Sequence, residues 1–161
     1  QGIGSTFTVE IPLLIAEQVL TEKEEKLRKD MDLHGLHVLL AEDNDLNAEI
    51  AVALLEEQGM IVIRTVDGKS ALTQFCNTDP GTFDLILMDI MMPEMNGYET
   101  TKAIRNLPDR PDGKEIPIIA MTANAFAEDV QAALNAGMDD HVAKPMDMDI
   151  LISAIEKCVK R

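Results

Sequence analysis

The sequence predicts an α/β fold built on a five-stranded parallel sheet with helices on both faces. From residue 36 onward, short β-rich runs alternate with segments of helical periodicity, the pattern of successive βα units. The runs are nearly continuous in apolar residues, as in "HVLLA", "LILM" and "IIAM". A strand with one wet face would alternate, whereas a strand buried on both faces does not. The 161 residues are 46% hydrophobic and 27% charged, enough apolar content for a core and not the composition of a disordered chain.

In chain order, strands are expected at His37–Ala41, Met60–Thr65, Phe83–Met88, Ile116–Met121 and Asp140–Ala143. Helices are expected at Asp45–Gln58, Gly68–Asn77, Gly97–Asn106, Ala125–Ala136 and Asp147–Lys160. Gly59 and Gly137 stand where a left-handed residue ends a helix. Asp147 follows Pro145 at an N-cap position. Leu151, Ala154, Ile155 and Cys158 fall on one face of the last helix.

The first 35 residues have a different character. Residues 1–15, "QGIGSTFTVEIPLLI", place Phe7, Val9 and Ile11 on alternate positions, as in a half-buried strand that needs a partner sheet. Residues 16–35 are dense in charge and in good helix formers, and read as a charged, helical linker. Leu13, Leu20 and Leu27 recur every seven residues, a short seam for weak homodimerisation. The chain therefore divides into a terminal strand remnant (1–15), a linker (16–35) and one main domain (36–161).

A formal charge of −15 and a pI near 4.4 argue against nucleic-acid partners, whose phosphates require clustered Lys and Arg. No run approaches the ~18 apolar residues of a membrane helix, and no signal peptide is seen, so a cytoplasmic chain is expected, with a membrane anchor allowed in a longer parent. Cys76 and Cys158 lack CxxC or His partners and read as reduced, core-filling thiols. Met91, Met92 and Met95 read as apolar gap fillers, and His34, His37 and His141 as structural or surface residues.

The polar residues at the strand ends carry the chemistry. Glu42 and Asp43 follow the first strand, Asp89 the third, Thr122 the fourth, and Lys144-Pro145 the fifth. In a parallel sheet these ends share one edge, where open α/β folds bind ligands. Three carboxylates without Cys or His suit a hard cation, best Mg²⁺, with Mn²⁺ the other option. Close carboxylates repel and need either a cation or raised pKa values. An aspartate can attack phosphorus to give an aspartyl phosphate, and the transfer then needs chiefly positioning and charge neutralisation. Taken singly, Glu42-Asp43 reads first as a helix N-terminal acidic pair and Lys144-Pro145 as a turn; the four strand ends together carry the signal.

The motifs "VLLAEDN", "LILMDIMMPEMNGYE", "IIAMTAN" and "AKP", in this order and spacing, resemble the receiver (response-regulator) domain of two-component signalling over about residues 36 to 160. The resemblance implies the flavodoxin-like strand order 2-1-3-4-5 with its site at the switch point. It implies Asp89 as phosphoacceptor. It implies Mg²⁺ held by Glu42, Asp43, Asp89 and the Met91 backbone carbonyl. Thr122, Lys144 and the Ala123 backbone would contact the phosphoryl group, Thr122 and His141 would act as switch residues, and a cis bond before Pro145 is implied. Two positions depart from the family: Glu42 stands for the usual Asp, and His141 for the usual Tyr or Phe.

"GIGSTFTVEIPL" resembles the last glycine motif and strand of histidine-kinase ATPase domains. Together with the receiver, this implies a piece of a hybrid histidine kinase, the fragment itself being no enzyme beyond its own phosphorylation and dephosphorylation. Its implied partners are a phosphohistidine domain, that of its own parent, and a histidine phosphotransfer protein. A stand-alone response regulator and a degenerate receiver are the alternatives. A haloacid-dehalogenase-type phosphatase would want a second Asp where Met91 stands.

Overall fold

The structure is a computed structural model that describes residues 32–123 and 127–159. The strand expected within residues 1–15, the helical linker up to residue 31 and the leucine seam lie outside the described residues, as do Ala125 and Lys160 at the ends of two expected helices.

Five parallel strands form one sheet: β1 His37–Ala41, β2 Ile61–Thr65, β3 Leu85–Asp89, β4 Ile118–Thr122 and β5 Asp140–Ala143. Their order is β2-β1-β3-β4-β5, as expected. Five α-helices connect and close the sheet: α1 Asp45–Glu57, α2 Gly68–Asn77, α3 Gly97–Arg105, α4 Ala127–Ala136 and α5 Met148–Val159. The order reverses between β1 and β3, whose Ala41 and Met88 are register partners, so the loops leaving these strands diverge and open a crevice.

Strand periodicity of two decides which residue meets which helix layer. Val38, Leu40, Leu85, Leu87, Ile119 and Met121 point to one face and pack with Ala51 and Leu55 of α1 and Leu151, Ala154 and Ile155 of α5. Leu39, Ala41, Ile86, Met88, Ile118 and Ala120 point to the other, against Ala71 and Phe75 of α2, Ile104 of α3 and Ala133 of α4. All five residues of β3 and of β4 are buried, which is why their sequences show no alternation.

Element boundaries follow local bonding. β3 starts two residues later than expected because the Asp84 side chain accepts the His37 N–H, while Phe83 packs beside Phe75 with ring centroids 6.4 Å apart. β4 starts later because Ile116 donates to the Asp112 carbonyl, closing a 3₁₀ turn at Pro111–Lys114 that the sequence reading did not include. Gly59 and Gly137 have φ of 80° and 98°, and the Asp147 carboxylate caps Asp149 and Ile150, all as expected. Cys158 is buried, but Cys76 is exposed and fills no core: α2 turns Ala71 and Phe75 inward, and Cys76 is the next position around the helix.

Two arginines tie the sheet's N-terminal edge. Arg105 donates to the carbonyls of Gly113, Ile116 and Gly137 and pairs with Asp139 at 2.8 Å. Arg110 lies over the Phe75 ring at 4.1 Å, donates to the Phe75 and Thr78 carbonyls, and forks onto both Asp112 oxygens. Among the described residues no helix is long and apolar enough to cross a membrane.

Candidate functional site

At the opposite, C-terminal edge, Asp89 is the last residue of β3 and is buried, with 5% of its surface exposed. Its Oδ1 accepts the Met91 N–H at 3.1 Å, and its Oδ2 lies 2.7 Å from Lys144 Nζ. Lys144 directly follows β5 and precedes a cis bond to Pro145, and its N–H donates to the Thr122 carbonyl at 2.7 Å. Its ammonium is shared with Glu42 Oε2 at 2.5 Å.

Glu42 lies directly beyond β1 and is 1% exposed. Besides Lys144, it accepts at Oε1 from the Asn44 N–H at 3.3 Å and the Asn47 amide at 3.2 Å. Its carbonyl accepts from Arg64 on β2, which also pairs with Asp45 at 2.7 Å and so fixes the acidic loop to the neighbouring strand. Asp43 is exposed and completes the cluster: Glu42, Asp43 and Asp89 each offer an oxygen within 4.8 Å of the others.

Burial pushes the Asp89 carboxyl above the usual aspartate range, against the pull of Lys144 and the Met91 N–H. Burial alone would lower Lys144, but bonding to Asp89 and Glu42 raises it, so the ammonium stays charged. Three carboxylates against one ammonium leave a net −2 when all are ionised. An all-oxygen donor set with that charge fits a hard divalent cation.

Thr122, the last residue of β4, is buried beside Ala143 in register, and Ala123 is exposed at the crevice mouth. The strand ends thus gather the four expected charged side chains, with Thr122 at the adjoining strand end. His141 is half-buried opposite Ala120, with its ring nitrogen 3.6 Å from Asp140. Of the three methionines read as gap fillers, Met92 is buried, whereas Met91 is 77% exposed. Asp89 Oδ1 holds the Met91 backbone in the turn, and its side chain points away from the core. Leu46, Ile50, Val66 and Ile150 are also exposed and follow the C-terminal ends of strands, so apolar surface borders the polar crevice.

Three contributors escaped sequence reasoning. Asn47 and Arg64 act through long side-chain reach that no local pattern announces. Gly97 carries a clearer signal, a glycine opening a helix right after the Asp89 loop. A Cβ there would fall 2.3 Å from the Asp89 carbonyl oxygen and 3.0 Å from Ile90 Cα, and the Gly97 N–H donates to the Ile90 carbonyl. Only a glycine lets α3 begin this close to the strand.

Comparisons with known proteins bear on this site. Residues 38–156 match the response regulator receiver domain. The chain is 40% identical over 158 residues to the aerobic respiration control sensor protein ArcB of Escherichia coli, an alignment covering 98% of this chain and 19% of that protein. It is 35% identical over 145 residues to the sensor histidine kinase GacS of Pseudomonas protegens, covering 90% of this chain and 15% of that one. The chain thus spans under a fifth of the length of these curated relatives. Among solved structures, the receiver domain of sensor histidine kinase PA1611 from Pseudomonas aeruginosa, with magnesium coordinated in its active-site cleft, superposes with a TM-score of 0.69 at 35% identity, covering 79% of this chain and 99% of that one. The receiver domain of the Saccharomyces cerevisiae response regulator Ssk1, solved with the histidine phosphotransfer protein Ypd1, gives 0.67 at 25% identity, covering 79% and 90%. With the strand order, the acidic cluster and the lysine all in the expected places, the chain belongs to the response regulator receiver domain family.

Proposed function

We propose that this chain is the receiver of a hybrid histidine kinase and that Asp89 takes a phosphoryl group from a phosphohistidine. The observation that carries this is the Asp89 carboxylate, buried at a strand end, aligned through one oxygen by the Met91 N–H and through the other by Lys144. An Asp89 oxygen attacks phosphorus; the O–P bond forms as the P–N bond breaks, and its electron pair leaves with the imidazole nitrogen. Lys144 supplies a fixed positive charge, and Thr122 and the Ala123 N–H supply donors for the phosphoryl oxygens. Glu42, Asp43 and Asp89, with the Met91 carbonyl, would hold Mg²⁺ (or Mn²⁺), which when bound neutralises charge on the transferring group.

The parent's phosphohistidine domain is the donor, and a histidine phosphotransfer protein is the second partner, as Ssk1 has in Ypd1. The apolar residues around the crevice supply surface for such a partner. The ArcB alignment covers 98% of the chain and therefore takes in nearly all of residues 1–35, which supports reading them as the end of a kinase ATPase domain and its linker. The chain acts only on itself and works on the cytoplasmic side. Phosphorylation shifts the population between two receiver states through Thr122 and His141.

Intact mass after incubation with phosphoramidate and Mg²⁺ tests this. One phosphoryl adduct is expected, absent without metal and absent in Asp89→Asn. An adduct that persists in Asp89→Asn would overturn the assignment.

A further inference from the structure

Glu42 stands out in the acidic cluster because, besides Lys144, its carboxylate is held by two donors from the start of α1. Oε2 takes the Lys144 ammonium at 2.5 Å; Oε1 takes the Asn44 N–H at 3.3 Å and the Asn47 amide at 3.2 Å. A glutamate reaches one methylene further than an aspartate, and without a tether its carboxylate would sample several rotamers within the crevice. The tether comes from α1. Asn44 caps that helix by accepting the Asn47 N–H at 3.0 Å, and the same Asn47 sends its side chain back to Glu42. The helix start and the carboxylate are therefore one hydrogen-bonded unit. Asn47 is exposed and fills no core.

We propose that Asn47 is a positioning residue that limits how closely Glu42 engages the cation, so that Glu42 and Asp89 share Lys144. This rests on the proposed function of the site. With Asn47 in place, Glu42 keeps Lys144 against Asp89, and part of its negative charge is spread onto neutral donors. Without the amide, Glu42 Oε1 keeps one donor, turns more freely, and adds its charge to that of Asp43 and Asp89. Divalent cation binding then tightens while Lys144 is held less well for phosphoryl transfer. Opposite signs in these two quantities distinguish positioning from general loosening of the fold.

The experiment measures Mg²⁺ affinity of the unphosphorylated chain by calorimetry, and the rate of adduct formation with phosphoramidate at saturating Mg²⁺, for wild type, Asn47→Ala, Asn47→Gln, Glu42→Gln and the Asn47→Ala/Glu42→Gln pair. Asn47→Ala is expected to bind Mg²⁺ roughly threefold to tenfold more tightly and to accept phosphate slower by a similar factor, the size that removing one ordinary hydrogen bond produces. Asn47→Gln keeps an amide donor and restores most of both. In the Glu42→Gln background, Asn47→Ala changes neither quantity, because its effect passes through Glu42. Unchanged Asn47→Ala values, values that both fall, or effects that add to those of Glu42→Gln overturn the proposal. Failure of the wild type to form any adduct overturns the proposed function instead, and the calorimetric cycle still decides the role of Asn47.

Discussion

Lys144 Nζ lies between two buried carboxylates, 2.7 Å from Asp89 and 2.5 Å from Glu42, which come from different strands. Removing it leaves two charges facing each other without compensation. Lys144→Met, which keeps the apolar stem, should therefore lower metal-free stability by about 2–3 kcal/mol, below the full effect for a deeply buried pair because the lysine is partly exposed. Added Mg²⁺ should recover much of this, so the mutant's melting temperature depends on Mg²⁺ more steeply than the wild type's. Thermal unfolding over a Mg²⁺ series checks it; equal slopes would contradict it.

Arg105 presents a separable case at the far edge. Arg105→Met strands three carbonyls and removes the cationic partner of Asp139, which keeps the Ile118 N–H, and should cost about 2–4 kcal/mol in urea unfolding. At temperatures where the mutant remains folded, its phosphoryl acceptance should match wild type.

The Arg110–Asp112 fork makes an acid-range prediction. Arg110 bonding holds the Asp112 carboxyl down from 3.8 to about 2. A carboxyl lowered in the folded state contributes stability that is complete above its unfolded value, here 3.8, and lost as the pH falls towards about 2. Partial exposure reduces the amount to about 1–2 kcal/mol. Asp89 has the opposite sign: its raised carboxyl takes up a proton more readily when folded, so acidification relieves a penalty there. Asp112→Asn should flatten the loss of stability between pH 3.8 and about 2, while Asp89→Asn should steepen the net acid dependence above pH 3.8. Urea midpoints taken on both sides of pH 3.8 measure the two separately.

Gly97→Ala forces the start of α3 away from the Asp89 carbonyl. A loss of about 1–3 kcal/mol is expected, with Mg²⁺ affinity and phosphoryl acceptance falling together because the strand end itself moves. A mutant that loses stability while keeping both would show that Asp89 stays in place without this close approach.

The site was legible because β-strand ends were legible: apolar runs stop at Glu42, Asp89, Thr122 and Lys144, and a parallel sheet brings such stops to one edge. The helices were legible from their caps and spacing. Less visible was anything made by reach across the fold. Arg105 meets Asp139 at a separation of 34 residues, and Arg110 meets Phe75 at 35, with no local pattern to mark either. Cys76 and Met91 were misread for a related reason: residue type favours burial, but helix phase turns one outward and a turn does so to the other. The 3₁₀ turn at Pro111–Lys114 is too short to carry a period.

The arginine clips have a consequence for how motion is shared along the strands. They gather carbonyls from α2, the 3₁₀ turn, the segment before β4 and the turn before β5 into two cationic knots, all at the sheet's N-terminal edge. Local opening there has to break several bonds at once, so the amides of this edge should exchange their hydrogens close to the rate set by global unfolding. The exposed residues of the loops at the other edge, such as Asp43, Met91 and Ala123, should exchange faster, even though Lys144 and Arg64 cross-link those loops. The domain is thus hinged at its crevice and anchored at its base, and a change of charge at Asp89 can rearrange the loops around it while the strand register stays fixed.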